Sequence, residues 1–288
     1  MPEDVSRQTE GVLLPFEISD QIWQSVQERS AAMRLASPID LPGGGVEIPI
    51  ISGDPVPQWV GETQKRPVDY PAFASKKISG YTLSVIVPFS KQFRRDKKTL
   101  YNACVKRLPG AIAKKFDSTV FGPVDGLPGA NFDTLNSVTA VPIATNTYDA
   151  LVTADSAVAT ADGILTGWAI SPQARKILLM AKDNNGRPLL VNNIQSDGAV
   201  PALLGAPTYQ TKGVYLAGEK AQIGFAGDWE EAYYGIVEDI TISISDQATL
   251  DLGETTINLW QQGMFAVMVE FEAGFRAKDL SMFVKLTN

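Results

Sequence analysis

The run from Trp59 to Gly122 constrains the fold more than any other part of the chain. It predicts a long two-stranded hairpin whose second strand leads directly into a long basic helix. The far end of the hairpin is segment 61–71, with the aromatic residues Trp59, Tyr70 and Phe73 around it. An isolated two-stranded hairpin is marginally stable in water, and exposed aromatic groups need a covering surface. The run therefore favours a subunit completed by its neighbours, although the aromatic residues could instead pack on their own subunit.

The composition excludes several classes of function. The chain has 288 residues, no His, a single Cys at position 104 and a formal net charge of −7. His is the commonest general base and metal ligand, and one Cys can form neither an internal disulfide nor a cysteine-rich zinc site. We therefore expect no cofactor and no metal, and synthesis in a reducing, cytoplasmic environment. The sequence has no apolar run of about 18 residues, so no membrane span is expected.

The charges are distributed unevenly along the chain. Residues 146–250 carry six basic and twelve acidic groups. Residues 91–115 carry one acidic group and nine basic ones, which are Lys91, Arg94, Arg95, Lys97, Lys98, Lys106, Arg107, Lys114 and Lys115. Such a run is expected to seek phosphate or an acidic neighbour, and the alternative is a solvated helix face with salt bridges.

Hydrophobic periodicity and turn residues predict a mixed α+β fold. The predicted helices are 18–36, 91–96 with Ser90 as its cap, 98–121, which Pro109 should kink or split, 147–160 and 172–181. The predicted strands are 46–51, 77–87, 168–171, 214–217, 221–224, 232–236, 240–245, 256–259, 265–275 and 281–286. Residues 1–12 are expected to form a flexible arm, and residues 35–45 and 183–187 to form turns.

Acidic clusters are the remaining candidates for chemistry. Asp228, Glu230 and Glu231 could serve a hydrolase or a cation-dependent enzyme, and the alternative is that they are solvated turn residues. Glu270 and Glu272 lie two residues apart and therefore on one face of a predicted strand. Salt bridges between subunits or simple exposure are the favoured interpretations of that pair. No nucleotide-binding loop and no nucleophile elbow is present in the sequence, so we predict that the protein is not an enzyme.

An ordered set of motifs resembles tailed-bacteriophage major capsid proteins with the Hong Kong 97-type fold. The resemblance extends from about residue 48 to residue 286. It rests on Trp59-Val60-Gly61-Glu62, the helix-closing Asp117 and Gly122, the turn 182–187, Leu204-Gly205-Ala206-Pro207, Gly227-Asp228-Trp229 and Gly274-Phe275-Arg276. Each motif is weak alone, but their common order and spacing are fairly specific.

The resemblance implies an α+β capsid fold with five regions. These are an N-terminal arm (1–45), an extended loop (46–83), a peripheral domain with a long spine helix (84–145), an axial domain (146–250), and C-terminal strands that return to the peripheral domain (251–288). It also implies contacts between subunits through the extended loop, and an interior, DNA-facing position for the nine basic residues. The predicted loop contacts are Trp59, Glu62, Lys65, Arg66, Tyr70 and Phe73.

The function implied by the resemblance is that of a major capsid protein. Such a protein assembles with itself into hexamers and pentamers, which form an icosahedral shell around double-stranded DNA. Expected partners are the DNA, contacted non-specifically, and portal, scaffolding or decoration proteins. The expected location is the virion capsid, assembled in the cytoplasm of the host bacterium. An encapsulin-like compartment with a protein cargo is the alternative within the same fold.

One segment departs from the family pattern. Some relatives join a loop Lys covalently to an Asn of a neighbour, with a Glu assisting. Lys65 and Glu270 could stand for the Lys and the Glu, but Gln261-Gln262-Gly263 occupies the stretch where the Asn is expected. We therefore expect no cross-link.

Overall fold

The fold is taken from a computed structural model that describes residues 30–53, 56–70, 72–96, 107–123, 126–182, 187, 189, 202–251, 253 and 256–288. In these ranges the helices are α1 (Ala31–Leu35), α2 (Lys91–Asp96), α3 (Leu108–Val120), α4 (Thr147–Thr160) and α5 (Pro172–Met180). The strands are β1 (Ser37–Asp40), β2 (Val46–Gly53), β3 (Ala72–Ile78), β4 (Tyr81–Ser90), β5 (Thr139–Pro142), β6 (Gly167–Ile170), β7 (Ala202–Leu203), β8 (Ala206–Gln210), β9 (Gln222–Gly227), β10 (Ala232–Ser245), β11 (Thr249–Asp251), β12 (Thr256–Asn258), β13 (Met264–Ala277) and β14 (Phe283–Thr287).

A four-stranded sheet of the order β1–β10–β13–β4 forms one half of the body. β13 pairs antiparallel with β10 on one side and with β4 on the other, and β1 lies parallel to β10 at the edge. Side chains of β13 alternate, so that Val269, Phe271 and Ala273 are buried whereas Glu270 and Glu272 are half-buried. The buried side of this sheet belongs to the same core as α3.

The helix α3 covers the sheet with the apolar stripe that the sequence predicts. Ile112, Phe116 and Val120 recur every fourth residue and are all buried. The Phe116 ring packs edge-on against Phe271 of β13, with 6.4 Å between ring centroids. Pro109 lies in the first turn of α3, where its missing N–H costs no hydrogen bond. Whether the predicted helix 98–121 is kinked or split there stays a prediction. Residues 97–106, in which the predicted helix would begin, lie outside the described residues.

A second sheet has six strands in the described part of the chain, in the order β5–β14–β9–β6–β8–β7. Its central strands β6 and β9 are buried along their whole length, as expected of strands covered on both faces. Trp168 of β6 is fully buried, and its Nε1 donates a hydrogen bond of 2.9 Å to the Leu203 carbonyl oxygen. The helix α4 contributes Leu151, Ala154 and Val158 to this second core.

The hairpin β2–β3 is separate from both sheets, and its second strand is shorter than predicted. The predicted single strand 77–87 is two strands, because β3 ends at Ile78 and β4 begins at Tyr81 in the four-stranded sheet. At the break the backbone passes close to Gly274, where an added Cβ would come within 2.4 Å of the Ser79 carbonyl oxygen. The helix α2 follows β4 as predicted, and the Ser90 hydroxyl accepts a 3.2 Å hydrogen bond from the Gln92 amide.

Three further predictions of local structure need correction. Residues 35–45 were expected to be turns throughout, but Ser37–Asp40 forms β1, since a parallel partner in β10 satisfies its backbone. Segment 214–217 is not a strand, because Val214 is buried in a turn and only Leu216 forms a bridge, to Gln222. The predicted strands 232–236 and 240–245 are one strand, β10, whose register shifts between Ile236 and Thr241.

The remaining predicted elements are confirmed or lie outside the described residues. Helices 147–160 and 172–181 correspond to α4 and α5, and the strands at 46–51, 168–171, 221–224, 256–259, 265–275 and 281–286 correspond to β2, β6, β9, β12, β13 and β14. The last six residues of the predicted helix 18–36 include α1. The predicted arm 1–12 and the turn 183–187 contain too few described residues to test.

Two strands cross the boundaries that were predicted for the regions of the chain. β10 falls in the predicted axial region but pairs with β1 and β13 in the four-stranded sheet. β14 falls in the predicted returning segment but lies between β5 and β9 in the six-stranded sheet. The division of the chain into five regions therefore stays a prediction. Each sheet contains a strand from a region that was predicted to belong elsewhere, β10 in the four-stranded sheet and β14 in the six-stranded sheet.

A buried carboxylate links three distant segments of the body. Asp117 near the end of α3 is fully buried and accepts hydrogen bonds from the Ser30 hydroxyl (2.6 Å) and the Thr211 hydroxyl (2.8 Å). It also accepts hydrogen bonds from the backbone amides of Ala31 (3.1 Å) and Ala32 (3.3 Å), which begin α1. Burial raises the pKa of Asp117, and the four hydrogen bonds act against that increase.

Removing this carboxylate should destabilise the subunit. In Asp117→Ala, the two amides of α1 lose their acceptors inside the protein, so we expect the free energy of unfolding to fall by about 3 kcal/mol. Chemical denaturation of unassembled subunits measures the change. Asp40→Ala, at an exposed position in β1, is the matched control and should change the free energy by less than about 0.5 kcal/mol. Equal effects of both substitutions would contradict the linking role of Asp117.

The raised pKa of Asp117 also predicts a pH dependence. A carboxyl group whose pKa is higher when folded gives stability that is fully present below its unfolded pKa and is lost as the pH rises through its folded pKa. The unfolding free energy of the wild type should therefore fall relative to that of Asp117→Asn as the pH rises above the ordinary value of 3.8. Denaturation of both proteins at matched pH values measures this difference. The opposite slope would mean that hydrogen bonding outweighs burial.

Candidate assembly surface and nucleic-acid interface

The tip of the hairpin, defined as residues 56–70, is exposed along its whole length. Trp59 is fully exposed (104%), and Tyr70 (82%) and Val68 (74%) are nearly so. Phe73, at the start of β3, is also 74% exposed. The alternative that these aromatic residues pack on their own subunit is therefore wrong. A cluster of exposed aromatic and aliphatic groups of this kind marks a surface for association.

Backbone hydrogen bonds shape the tip, because it has no buried side chains of its own. The Gln64 amide donates to the Gly61 carbonyl oxygen (3.2 Å), and the Gly61 amide donates to Gln64 Oε1 (3.3 Å). The Asp69 carboxylate accepts from the Val56 amide (2.9 Å) and so joins the outgoing and returning chains. These contacts set a local shape and leave the side chains available to another molecule.

The charged members of the predicted contact set lie on the same tip. Glu62, Lys65 and Arg66 are exposed between Trp59 and Tyr70, so the structure brings five of the six predicted contact residues onto one tip, with the sixth, Phe73, on β3. The prediction missed the exposed apolar residues Val56 and Val68, which belong to the same surface. The sequence feature that could have identified them is that each Val adjoins a Pro and belongs to no alternating apolar pattern. Whether these residues contact a neighbouring subunit stays a prediction.

The basic run divides into parts with different surroundings. On α3, Lys114 and Lys115 are exposed, and Arg107 is exposed just before the helix. On α2, Lys91 lies 3.0 Å from the Asp246 carboxylate and the Arg94 guanidinium lies 5.4 Å from the centroid of the Phe265 ring. Arg95 is exposed on the same helix, and Lys97, Lys98 and Lys106 lie outside the described residues.

The two parts therefore have different electrostatic roles. Lys91 is partly neutralised by its ion pair, and its ammonium group also lies 5.7 Å from the centroid of the Trp260 ring. In the described part of the chain, no ion pair is formed by Lys114 or Lys115. Two adjacent exposed ammonium groups on a rigid helix can attract a polyanion without reading its sequence.

The acidic cluster at 228–231 has structural contacts instead of an open catalytic arrangement. The Asp228 carboxylate is buried and accepts hydrogen bonds from the backbone amides of Ile164 (3.0 Å) and Glu230 (3.2 Å). Glu231 forms an ion pair of 2.9 Å with Lys278, and this hydrogen bond raises the pKa of Lys278. These contacts hold loops and strand ends in place, so the hydrolase hypothesis has no site here.

The described residues contain neither a metal centre nor a membrane-spanning helix. Among them, no group of three or more His, Cys, Asp or Glu side chains is arranged to hold a metal ion. Their helices also lack the length and apolar character needed to cross a bilayer.

Comparison with known proteins agrees with the shell-subunit interpretation of these surfaces. A probable major capsid protein of Mycobacterium phage L5 is 29% identical over 297 residues, which cover 97% of this chain and 90% of that protein. Its counterpart in Mycobacterium phage D29 is 27% identical over 291 residues, which cover 96% of this chain and 90% of that protein.

The fold of this chain is also similar to that of a solved structure. A solved structure from Microbacterium phage Oxtober96 superposes with a TM-score of 0.74 at 18% identity and covers 90% of this chain and 91% of that chain. The predicted Hong Kong 97-type α+β fold is thereby confirmed. The sequence model of the phage capsid family matches residues 10–288, and this chain therefore belongs to the phage capsid family.

Proposed function

We propose that this chain is the major capsid protein of a tailed bacteriophage and that it assembles with itself into hexamers and pentamers of an icosahedral head shell around double-stranded DNA. Proteins of this family assemble into multimeric shells, so the chain is a self-associating structural protein of the virion capsid and not an enzyme. The observation that carries the proposal is the exposed apolar tip on a projecting hairpin.

The tip supports self-assembly for an energetic reason. Burying an aromatic or large aliphatic side chain contributes about 2 kcal/mol, and this contribution is absent while the side chain remains in water. In the single chain, the side chains that pack on the two sheets are buried, but Trp59, Val68 and Tyr70 remain exposed to water. A neighbouring copy that covers the tip would supply the missing burial. The predicted contact residues Glu62, Lys65 and Arg66 would then form the polar margin of that contact.

The basic residues support contact with packaged DNA. A closed shell around a phosphate polymer needs positive charge on its inner surface to offset repulsion from an acidic protein of net charge −7. Lys114 and Lys115 on α3 are the best candidates among the described residues, because they are exposed and lack an internal ion pair. The contact would be non-specific, since phosphate contacts alone carry no sequence information.

The remaining parts of the proposal concern location and other partners. We place assembly in the cytoplasm of the host bacterium, with portal and separate scaffolding or decoration proteins as further partners. We also propose the arm, extended-loop, peripheral, axial and C-terminal regions with the boundaries predicted from the sequence. β10 of the axial region then pairs in the four-stranded sheet, and β14 of the C-terminal region pairs in the six-stranded sheet.

Imaging of native particles tests the proposal directly. Negative-stain microscopy of the purified protein should show closed shells, and native particles should contain nuclease-protected DNA. Shells that contain a protein cargo and no DNA would favour an encapsulin-like compartment instead. A protein that stays monomeric in every solvent condition would contradict self-assembly.

Loss of the Trp59 ring should prevent assembly without changing the fold. In Trp59→Ser, each contact between subunits should weaken by about 2 kcal/mol, or about thirtyfold, because the ring no longer removes apolar surface from water. The unfolding free energy of the isolated subunit should change by less than about 0.5 kcal/mol, since the ring is fully exposed there. Light scattering measures assembly and denaturation measures stability. Trp59→Phe, which retains an aromatic ring, should still assemble, and normal assembly of Trp59→Ser would count against a contact at the tip.

Charge reversal on α3 should reduce DNA content without preventing shell formation. In Lys114→Glu/Lys115→Glu, we expect shells of normal size that protect less DNA, because phosphate repulsion rises on the inner surface. Lys176→Glu/Lys220→Glu makes the same change of charge at two other exposed positions and should leave the DNA content unchanged. Absorbance and nuclease protection of purified particles measure the content. Equal losses in both variants would show that only net charge matters.

A further inference from the structure

The contact between the root of the hairpin and the body is small compared with the length of the hairpin. The hairpin joins the body through two short connections, residues 41–45 and 79–80. Within the described residues its own small core has three buried side chains, Leu41, Ile48 and Ile78, and four partly buried ones that pack against them, Ile39, Val46, Tyr233 and Val237. A contact of this size resists bending weakly, so a further interaction is needed to hold the hairpin at one angle.

A lysine on the inner face of the hairpin supplies that interaction. Lys76 pairs with Ile48 across the β2–β3 ladder and therefore lies on the face that carries the buried isoleucines. Its half-buried ammonium group donates hydrogen bonds to the carbonyl oxygens of Ala277 (3.1 Å) and Lys278 (2.8 Å). These acceptors lie at the end of β13, about 200 residues farther along the chain.

The acceptors of Lys76 are themselves held firmly. The Lys278 amide donates to the Glu231 carbonyl oxygen (2.9 Å), and the Lys278 ammonium group forms an ion pair with the Glu231 carboxylate (2.9 Å). Glu231 immediately precedes β10, and Lys278 immediately follows β13. The two residues that form these bonds are therefore both attached to strands of the four-stranded sheet. Lys76 therefore connects the movable hairpin to the most extensively paired part of the body.

The geometry of the hairpin makes this connection important. An extended chain advances about 3.3 Å per residue, so the tip lies up to roughly 50 Å from the root. A rotation of about 10° at the root would then move the tip by about 9 Å, whereas apolar contacts require about 4 Å between atoms. The angle at the root must be held to within a few degrees for the tip to reach a defined position.

We propose that Lys76 is a positioning residue that sets the angle at which the hairpin leaves the body and so determines where the tip lies on a second copy of the chain. The role in shell geometry rests on the proposed function, but the effect on the angle belongs to the single subunit. Adjacent Lys77 provides a matched comparison, because it is exposed on the opposite face of the same strand.

Distance measurements in unassembled subunits test the proposal. Spin labels at Glu62→Cys in the tip and Glu230→Cys near the root, in a Cys104→Ser background, report the spread of tip positions by pulsed dipolar spectroscopy. We expect Lys76→Met, which keeps an apolar stem without donors, to broaden the distance distribution about twofold. Lys76→Arg, which can still donate to both carbonyl oxygens, and Lys77→Met should retain the wild-type width. An unchanged width in Lys76→Met would overturn the proposal.

Shell formation by the unlabelled variants tests the consequence for assembly. We expect Lys76→Met to give shells of mixed size or open sheets, and Lys76→Arg and Lys77→Met to give shells like the wild type. Uniform wild-type shells from Lys76→Met would overturn the role of Lys76 in shell geometry. Failure of the wild type itself to form shells would instead overturn the proposed function, while the distance widths would still decide whether Lys76 sets the angle.

Discussion

The buried carboxylate of Asp117 is the interaction on which the arrangement of the body depends. It lies near the end of α3, which packs on the four-stranded sheet, and it accepts hydrogen bonds from the start of α1 and from Thr211. Thr211 directly follows β8 of the six-stranded sheet, so this carboxylate connects both sheets through α3. A buried charge is tolerated only where donors surround it, and four donors from two segments meet that requirement.

The body and the hairpin satisfy the hydrophobic effect in different ways. In the body, side chains such as Phe116, Trp168 and Phe271 are buried by the folding of one chain. The hairpin tip has no layer to cover it, and two strands alone cannot provide one. Its apolar groups therefore favour association in the same physical sense in which the core residues favour folding. The hydrophobic contribution of the tip becomes available only in the shell.

Local patterns in the sequence predicted the elements that local interactions determine. The helix α5 was predicted over residues 172–181, and Pro172 lies in its first turn. The Ser171 hydroxyl caps it by accepting a 3.2 Å hydrogen bond from the Ala174 amide. The break at Ser79 was not predicted, because the alternation of Tyr81, Leu83 and Val85 in β4 was extended back through Ser79 and Gly80 into β3. The tip was found from its aromatic residues and prolines. The partners of Asp117 lie 85 to 94 residues away, and no local pattern could have indicated them.

The rigid and projecting parts of the chain also place opposite demands on stability. Contacts that unite the body, such as those of Asp117, can be strong, because the body must keep one shape before and after assembly. A contact at the root of the hairpin must hold an angle without burying the hairpin, and two hydrogen bonds from one lysine suit that purpose, since each contributes about 2 kcal/mol net. Such a contact can keep the tip near one position and still yield to the larger apolar burial that a neighbouring subunit offers. The modest strength of the Lys76 contact is therefore compatible with a hairpin that settles fully only within the shell.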